Sequence, residues 1–225
     1  MKTVSKQTIW QRLKLSVKAV KGYQLGALLK KLEQNLAPYE VKFIAPAEAV
    51  FRPTEKLYVR VKEQVKPLFL GHLIQSEFSI SSDFVSSNEE ESQNNLMIDN
   101  AHTGNGLTCQ FQTTGMLKRQ TIKPIIKGNM GISEQLMTLF SHYPEFYETL
   151  KKMDFTKAQL TMTAESWTFT VMHFAASEVV GRVPPIRRYI PLSGEQRQLL
   201  LSSLLMMQQL MQQLLLIVQH KEIKG

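Results

Sequence analysis

Acidic side chains are missing from the start of this chain: none occurs before Glu33. The first 36 residues hold eight basic side chains (Lys2, Lys6, Arg12, Lys14, Lys18, Lys21, Lys30 and Lys31) against that one acid. Seven of the eight net positive charges of the 225-residue protein therefore sit there. Residues 37–225 carry 19 basic and 18 acidic side chains and are nearly neutral. The positive charge describes one end, and long-range attraction of anionic partners belongs to that end and not to the fold.

Cysteine is almost absent too. A lone Cys109 excludes an intramolecular disulfide and any zinc site built on a cysteine pair, and fits a reducing compartment. The histidines at 72, 102, 142, 173 and 220 share no metal-ligand spacing. There is no Gly-x-Ser-x-Gly, no phosphate-binding glycine loop and no dinucleotide fingerprint. No catalytic residue, metal or cofactor is expected from motifs. An enzyme would need distant groups gathered in one pocket, such as Arg182 and Arg187 with His173 and a carboxylate.

Long apolar runs are lacking as well. Lysines interrupt every apolar stretch near the N-terminus before it reaches signal-peptide length. The longest uncharged run, Gln198–Gln219, contains six glutamines and two serines, which oppose membrane insertion. No transmembrane span is expected. The expected location is cytoplasmic, with membrane-peripheral association through the basic end.

What is present is the composition of a folded domain: 43% hydrophobic and 20% charged residues. We read residues 1–225 as a single α+β domain. Residues 1–21 contain a basic amphipathic helix over 8–21, with Ile9, Trp10, Leu13, Val17 and Val20 within a quarter of its circumference. A second helix, about 24–36, places Leu25, Leu28, Leu29, Leu32 and Leu36 at three- and four-residue steps before Pro38.

The period then changes to two. Tyr39, Val41 and Phe43 alternate with polar neighbours, as do Leu57, Val59 and Val61, and Leu68–Ile80 reads as one long β segment with Gly71 as a bulge. Residues 81–106 carry five acids and no base, and read as a flexible acidic loop. Strand character resumes at Leu107, Cys109 and Phe111, and again through Met116–Ile126 after a turn at Gly115. Residues 133–141 and 144–152 form a mid-chain helix pair, with Ser133 an N-cap candidate and Pro144 opening the second. A hairpin follows, pairing Leu160 and Met162 with Trp167, Phe169, Val171 and His173. Ala176–Leu192 is rich in arginine and proline. Last comes a long C-terminal helix, opened by the Ser-x-x-Gln spacing of Ser193 and Gln196.

The expected architecture is an antiparallel sheet with N-terminal helices, the mid-chain pair and the long C-terminal helix packed on the sheet. That last helix has an apolar arc wider than a coiled-coil seam and lacks flanking charges. Burial against the sheet is its first reading, and a homodimer seam its second.

Two groups of residues carry binding chemistry. In the first, Lys6, Trp10, Arg12, Lys14, Lys18 and Lys21 combine an apolar stripe with flanking cations, as an interfacial helix requires. The same pattern also suits an ordinary surface helix with solvated lysines. An anionic membrane surface or an acidic protein is the expected partner. Nucleic acid is disfavoured because arginine and stacking aromatics are few and no nucleic-acid motif accompanies the charge. In the second, Arg182, Arg187 and Arg188 around Pro184–Pro185 form a candidate anion site. Their competing role is ion pairing with Glu178 or Glu195.

The block Ala176-Ser-Glu-Val-Val-Gly-Arg-Val-Pro-Pro-Ile-Arg-Arg-Tyr-Ile-Pro-Leu, running into Glu195-Gln-Arg-Gln-Leu-Leu, resembles a family of bacterial proteins of unknown function. The resemblance covers the last third of the chain. It implies bacterial origin and assigns no site residue. The expected function is thus non-catalytic binding, with the basic helix docking on an anionic membrane surface or acidic partner. The alternative is an apolar small-ligand or lipid carrier with its cavity between the sheet and the C-terminal helix, where Met206, Met207 and Met211 could line it.

Overall fold

Alternation of apolar and polar residues places every second side chain on one face of a strand, and that face must be covered. Here nine strands share it: β1 (Val41–Ala45), β2 (Glu48–Thr54), β3 (Leu57–Leu68), β4 (Gly71–Asp83), β5 (Leu107–Thr114), β6 (Thr121–Lys127), β7 (Phe155–Met162), β8 (Ser166–Arg182) and β9 (Pro185–Ile190). The helices are α1 (Ala27–Leu36), α2 (Met130–Ser141), α3 (Pro144–Lys152) and α4 (Gly194–Glu222). The structure is a computed structural model and describes residues 23–83, 106–114, 121–128, 130–163, 166–182 and 185–222. The helix read over 8–21, most of the acidic loop read over 81–106 and the turn read at Gly115 lie outside the described residues.

The sheet runs β1-β2-β3-β4-β8-β7-β5-β6, with β9 also paired to β8, and every described pairing is antiparallel. The fold is α+β, with the long C-terminal helix on the sheet. One hydrophobic cluster draws on all four helices and all nine strands. Its inner face includes Val59, Val61, Phe78, Cys109, Leu160, Phe169 and Val171, each fully buried. From the helical side come Leu200, Leu204, Met207 and Met211 of α4, also fully buried. Phe111 joins the layers: its ring lies 5.5 Å from Phe140, 5.4 Å from Phe146 and 6.1 Å from Phe169, all edge-on.

Residues Gly194–Ile217 are long and apolar enough to cross a membrane by length and composition, with mean hydropathy 1.4. In the fold 39% of that helix's apolar window is buried, including the stripe Leu200, Leu204, Met207, Met211 and Leu214. Its start matches half of a capping box, since Gln196 N donates to Ser193 Oγ at 3.2 Å. The glutamine side chain turns elsewhere. Gln196 Oε1 accepts from Asp154 N at 2.7 Å and lies 3.2 Å from His173 Nε2, and Gln196 Nε2 donates to the Lys152 carbonyl at 3.1 Å.

Four readings of local structure change. Leu68–Ile80 is not one strand: β3 ends at Leu68, Phe69–Leu70 turn, and β4 begins at Gly71. Gly71 is not a bulge; a Cβ there would stand 2.1 Å from the Val180 carbonyl oxygen, so its absence lets β4 and β8 close. Ser133 lies inside α2, which starts at Met130. The Arg/Pro-rich stretch is a second hairpin, because β8 continues to Arg182 and returns as β9.

The continuation of β8 depends on a bulge. Gln75 pairs with Ser177 and Glu77 with Met172, so residues 173–176 of β8 face Ser76 alone. Ala176 sits at φ 56°, and the buried Ser76 Oγ donates to its carbonyl at 2.8 Å. Before the bulge β8 pairs with β7; beyond it, with β9. The second half of the strand thus builds a separate end of the sheet, covered by α1.

Candidate functional site

That end is formed by the β3–β4 and β8–β9 hairpins beneath α1. Register puts Glu63, Val65, Ile74, Glu178, Val180, Arg187 and Tyr189 on the face that α1 covers. Leu28, Ile74 and Val180 form a small buried cluster there, with Tyr23, Val65 and Tyr189 packed against it.

Two carboxylates organise this face. Glu63 caps α1 from another strand: Oε1 accepts from Leu28 N at 2.9 Å and Leu29 N at 3.1 Å, while Oε2 accepts from Gly26 N at 2.9 Å and Tyr23 Oη at 2.6 Å. Helix α1 starts from Gly26 at φ +82° with no side-chain cap of its own, so its free amides need this outside acceptor. Burial, and then the hydrogen bond and charge of Glu63, push the Tyr23 phenol well above its ordinary value.

Glu178 is fully buried. Arg187 grips it in a bidentate contact, Nε to Oε1 at 2.8 Å and Nη2 to Oε2 at 3.0 Å, and Lys31 of α1 donates to Oε1 as well. Burial pushes this carboxyl up, but the hydrogen bonds and charges of Arg187 and Lys31 outweigh it and hold the group below its ordinary value. The Lys31 ammonium also lies 5.6 Å from the centre of the Tyr189 ring, and Tyr189 Oη donates to Asn35 Oδ1. The arrangement fixes α1 to the sheet end. Every charge in it already has an internal partner, so it is a fastening and not a reaction centre.

Of the three arginines read from sequence as an anion site, Arg187 and Arg188 face opposite sides of β9. Arg187 is committed to Glu178, in the ion-pairing role weighed beside the anion reading. Arg188, the next residue of β9, is exposed on the opposite face. The side chain of Arg182 is outside the described residues, as are Lys6, Trp10, Arg12, Lys14, Lys18 and Lys21. His173 is fully buried at the bulge, 3.3 Å from the Ala175 carbonyl oxygen through Nδ1 and held by Gln196 through Nε2. Burial pushes the Cys109 thiol up to about 12, the state of an inert core thiol. Among the described residues no group of histidine, cysteine and acidic side chains could hold a metal.

A hollow of about 430 Å³ lies at the base of the β5–β6 hairpin, lined by Gly106, Thr108, Gln110, Ile125, Lys127 and Gly128. Among the described residues lining it, Lys127 is the one charged group and none is a histidine or a carboxylate.

A surface feature that the sequence reading passed over is the β3–β4 turn. Leu68, Phe69 and Leu70 are 44%, 99% and 53% exposed. Next to them across β4 and β8 lies Ile186 of β9, at 50%. The available signal was Pro67 and Gly71 bracketing three large apolar residues; a two-residue turn normally announces itself with glycine or asparagine.

No curated protein and no solved structure matches the chain. A family model described as "Protein of unknown function (DUF3156)" matches residues 34–211, far more than the last third. That span takes in α1 from its last turn, the whole sheet and most of α4, and the chain belongs to this family of proteins of unknown function.

Proposed function

We propose that this is a non-catalytic binding protein that docks on an anionic membrane surface through its basic N-terminal segment. The observation that carries the reading is the charge asymmetry: residues 1–22 hold six basic side chains and no acid, whereas residues 37–225 are balanced to within one charge. Each juxtamembrane cation contributes about 1 kcal/mol on an anionic leaflet, and Trp10 with Ile9, Leu13 and Val17 supplies the apolar side of an interfacial helix. A cytoplasmic, membrane-peripheral location goes with this reading. In support, the segment joins the described fold at Tyr23, whose hydroxyl donates to Glu63 on β3, the strand that leads into the exposed β3–β4 turn.

Flotation of the full chain with phosphatidylcholine vesicles, with and without phosphatidylglycerol, tests the proposal. Binding confined to anionic vesicles and weakening from low to physiological salt is expected. No flotation in any condition, with binding to an acidic polypeptide instead, would move the partner from lipid to protein.

The apolar-ligand carrier is the second reading. What favours it is the methionine content of α4 facing the sheet, with Met207 and Met211 in the core and Met206 packed against it, since thioethers repack readily around a guest. Native mass spectrometry of the purified protein should then show a co-purifying lipid-sized adduct; a clean mass for the chain would count against it.

A further inference from the structure

We infer that the sheet end formed by the β3–β4 turn and the start of β9 is a membrane-insertion edge, with Phe69, Leu68, Leu70 and Ile186 entering an anionic bilayer and Lys66 and Arg188 holding lipid phosphates. The inference deepens the docking proposal and rests on it: it names a second contact, on the folded domain itself.

Register supplies the geometry. Leu68 pairs with Gly71, Gly71 with Gly181 and Gly181 with Ile186, so Leu68 and Ile186 lie in one row across four strands. The next row on the same face is Lys66, Leu73, Val179 and Arg188. The two cations thus flank the sheet end one two-residue step, ~7 Å, behind the apolar row. That separation matches the ~5–10 Å by which interfacial apolar groups sink below the headgroups. Phe69, at 99% exposed, stands beyond both rows.

Charge at this edge has one sign. Residues 64–73 and 185–189 contain Lys66, Arg187 and Arg188 and no acid, and with Arg187 paired to Glu178 the outward-facing cations are Lys66 and Arg188. The nearest carboxylates on these strands are consumed internally: Glu63 by the amides of α1 and Tyr23, Glu178 by Arg187 and Lys31. Neither is available to repel a lipid phosphate. Tyr23, the first described residue after the basic segment, packs against the cluster of Leu28, Ile74 and Val180 at this same end.

The shape selects lipid over protein. Anchor residues of protein interfaces sit in packed patches bordered by other contacts. Phe69 is 99% exposed in a two-residue turn, needs no complementary pocket and enters a fluid phase readily. Natural edges of this kind are otherwise blunted with polar residues.

The test uses the full chain with Leu70→Cys carrying an environment-sensitive dye; Cys109 is fully buried and does not compete for label. A second protein carries the dye at Ser202→Cys, on the exposed side of α4. With vesicles containing phosphatidylglycerol, a blue shift and acyl-chain nitroxide quenching at position 70, and neither at 202, are expected. Phe69→Asp should weaken flotation by about tenfold or more while leaving the thermal midpoint unchanged. Flotation of the wild type with no spectral change at position 70 would overturn the insertion edge and leave the docking proposal standing. Absence of wild-type flotation would overturn both. A dye response to an acidic polypeptide but not to vesicles would replace lipid by protein at this edge.

Discussion

Glu63 shows how one side chain can hold an element it does not belong to. Four donors converge on its carboxylate, two of them amides in the first turn of α1. Replacing it by alanine strands those amides, and Glu63→Ala is expected to lower stability by about 2 kcal/mol in urea melts, with Glu63→Gln recovering about half. Arg187 acts on the other carboxylate. Glu178 titrates lower in the fold than its ordinary 4.5, so its stabilising contribution is present above that value and fades as pH falls through the lower folded value. Arg187→Met leaves the buried carboxylate with Lys31 alone. The loss should be about 2 kcal/mol at neutral pH, less than for a fully enclosed pair, because Arg187 is 38% exposed. The gap between wild type and variant should narrow from pH 7 toward pH 4 and below, as protonation removes the charge that Arg187 serves. A gap independent of pH would assign the arginine a packing role instead.

At the scale of elements, the strand β8 decides most. Its bulge at residues 173–176 lets one strand serve two neighbours, and the pairing of β4 and β8 at Gly71 and Gly181 sets the β3–β4 and β8–β9 hairpins side by side. A methyl group at Gly71 would meet the Val180 carbonyl oxygen and the Gly181 backbone, neither of which can swing aside. Gly71→Ala should therefore cost about 2–3 kcal/mol in chemical denaturation and raise amide exchange in β9 and α1 before the rest of the sheet. Uniform exchange across the sheet would show that the end and the main body open together. Helix α4 is fastened differently, through Gln196 to the loop before β7 and through Arg197, which donates to the carbonyls of Asn35 and Ala37 at the end of α1. The same first turn thus joins α4 to both α1 and the bulge.

For the whole molecule the governing quantity is the distribution of charge. Removing Lys14, Lys18 and Lys21 by reversal to glutamate takes the net charge from +8 to +2, since each change removes two units. All three positions precede the first described residue, Tyr23. The triple variant is expected to melt with the wild type yet bind anionic vesicles at least a hundredfold more weakly, at about 1 kcal/mol per lysine removed. Unchanged binding would reduce those lysines to a solvated face.

The sequence by itself determined which segments alternate and which repeat at helical spacing. That was enough for an α+β fold, for the inner stripe of α4 from Leu200 to Leu214, and for the inward side chains of β3, β5 and β7. Those are local properties, because burying one face of a strand or helix fixes the period of its own residues. Tertiary structure decided what depends on partners distant in the chain. The turn at Phe69–Leu70 carries no glycine or asparagine, so it is readable only once β3 and β4 pair. Glu63 and Glu178 look like ordinary strand carboxylates until Leu28 and Lys31, 35 and 147 residues away, arrive with α1. The three arginines look like a cluster in sequence, but adjacent residues of a strand face opposite ways, which sends Arg187 to Glu178 and leaves Arg188 on the outer face beside the exposed tips.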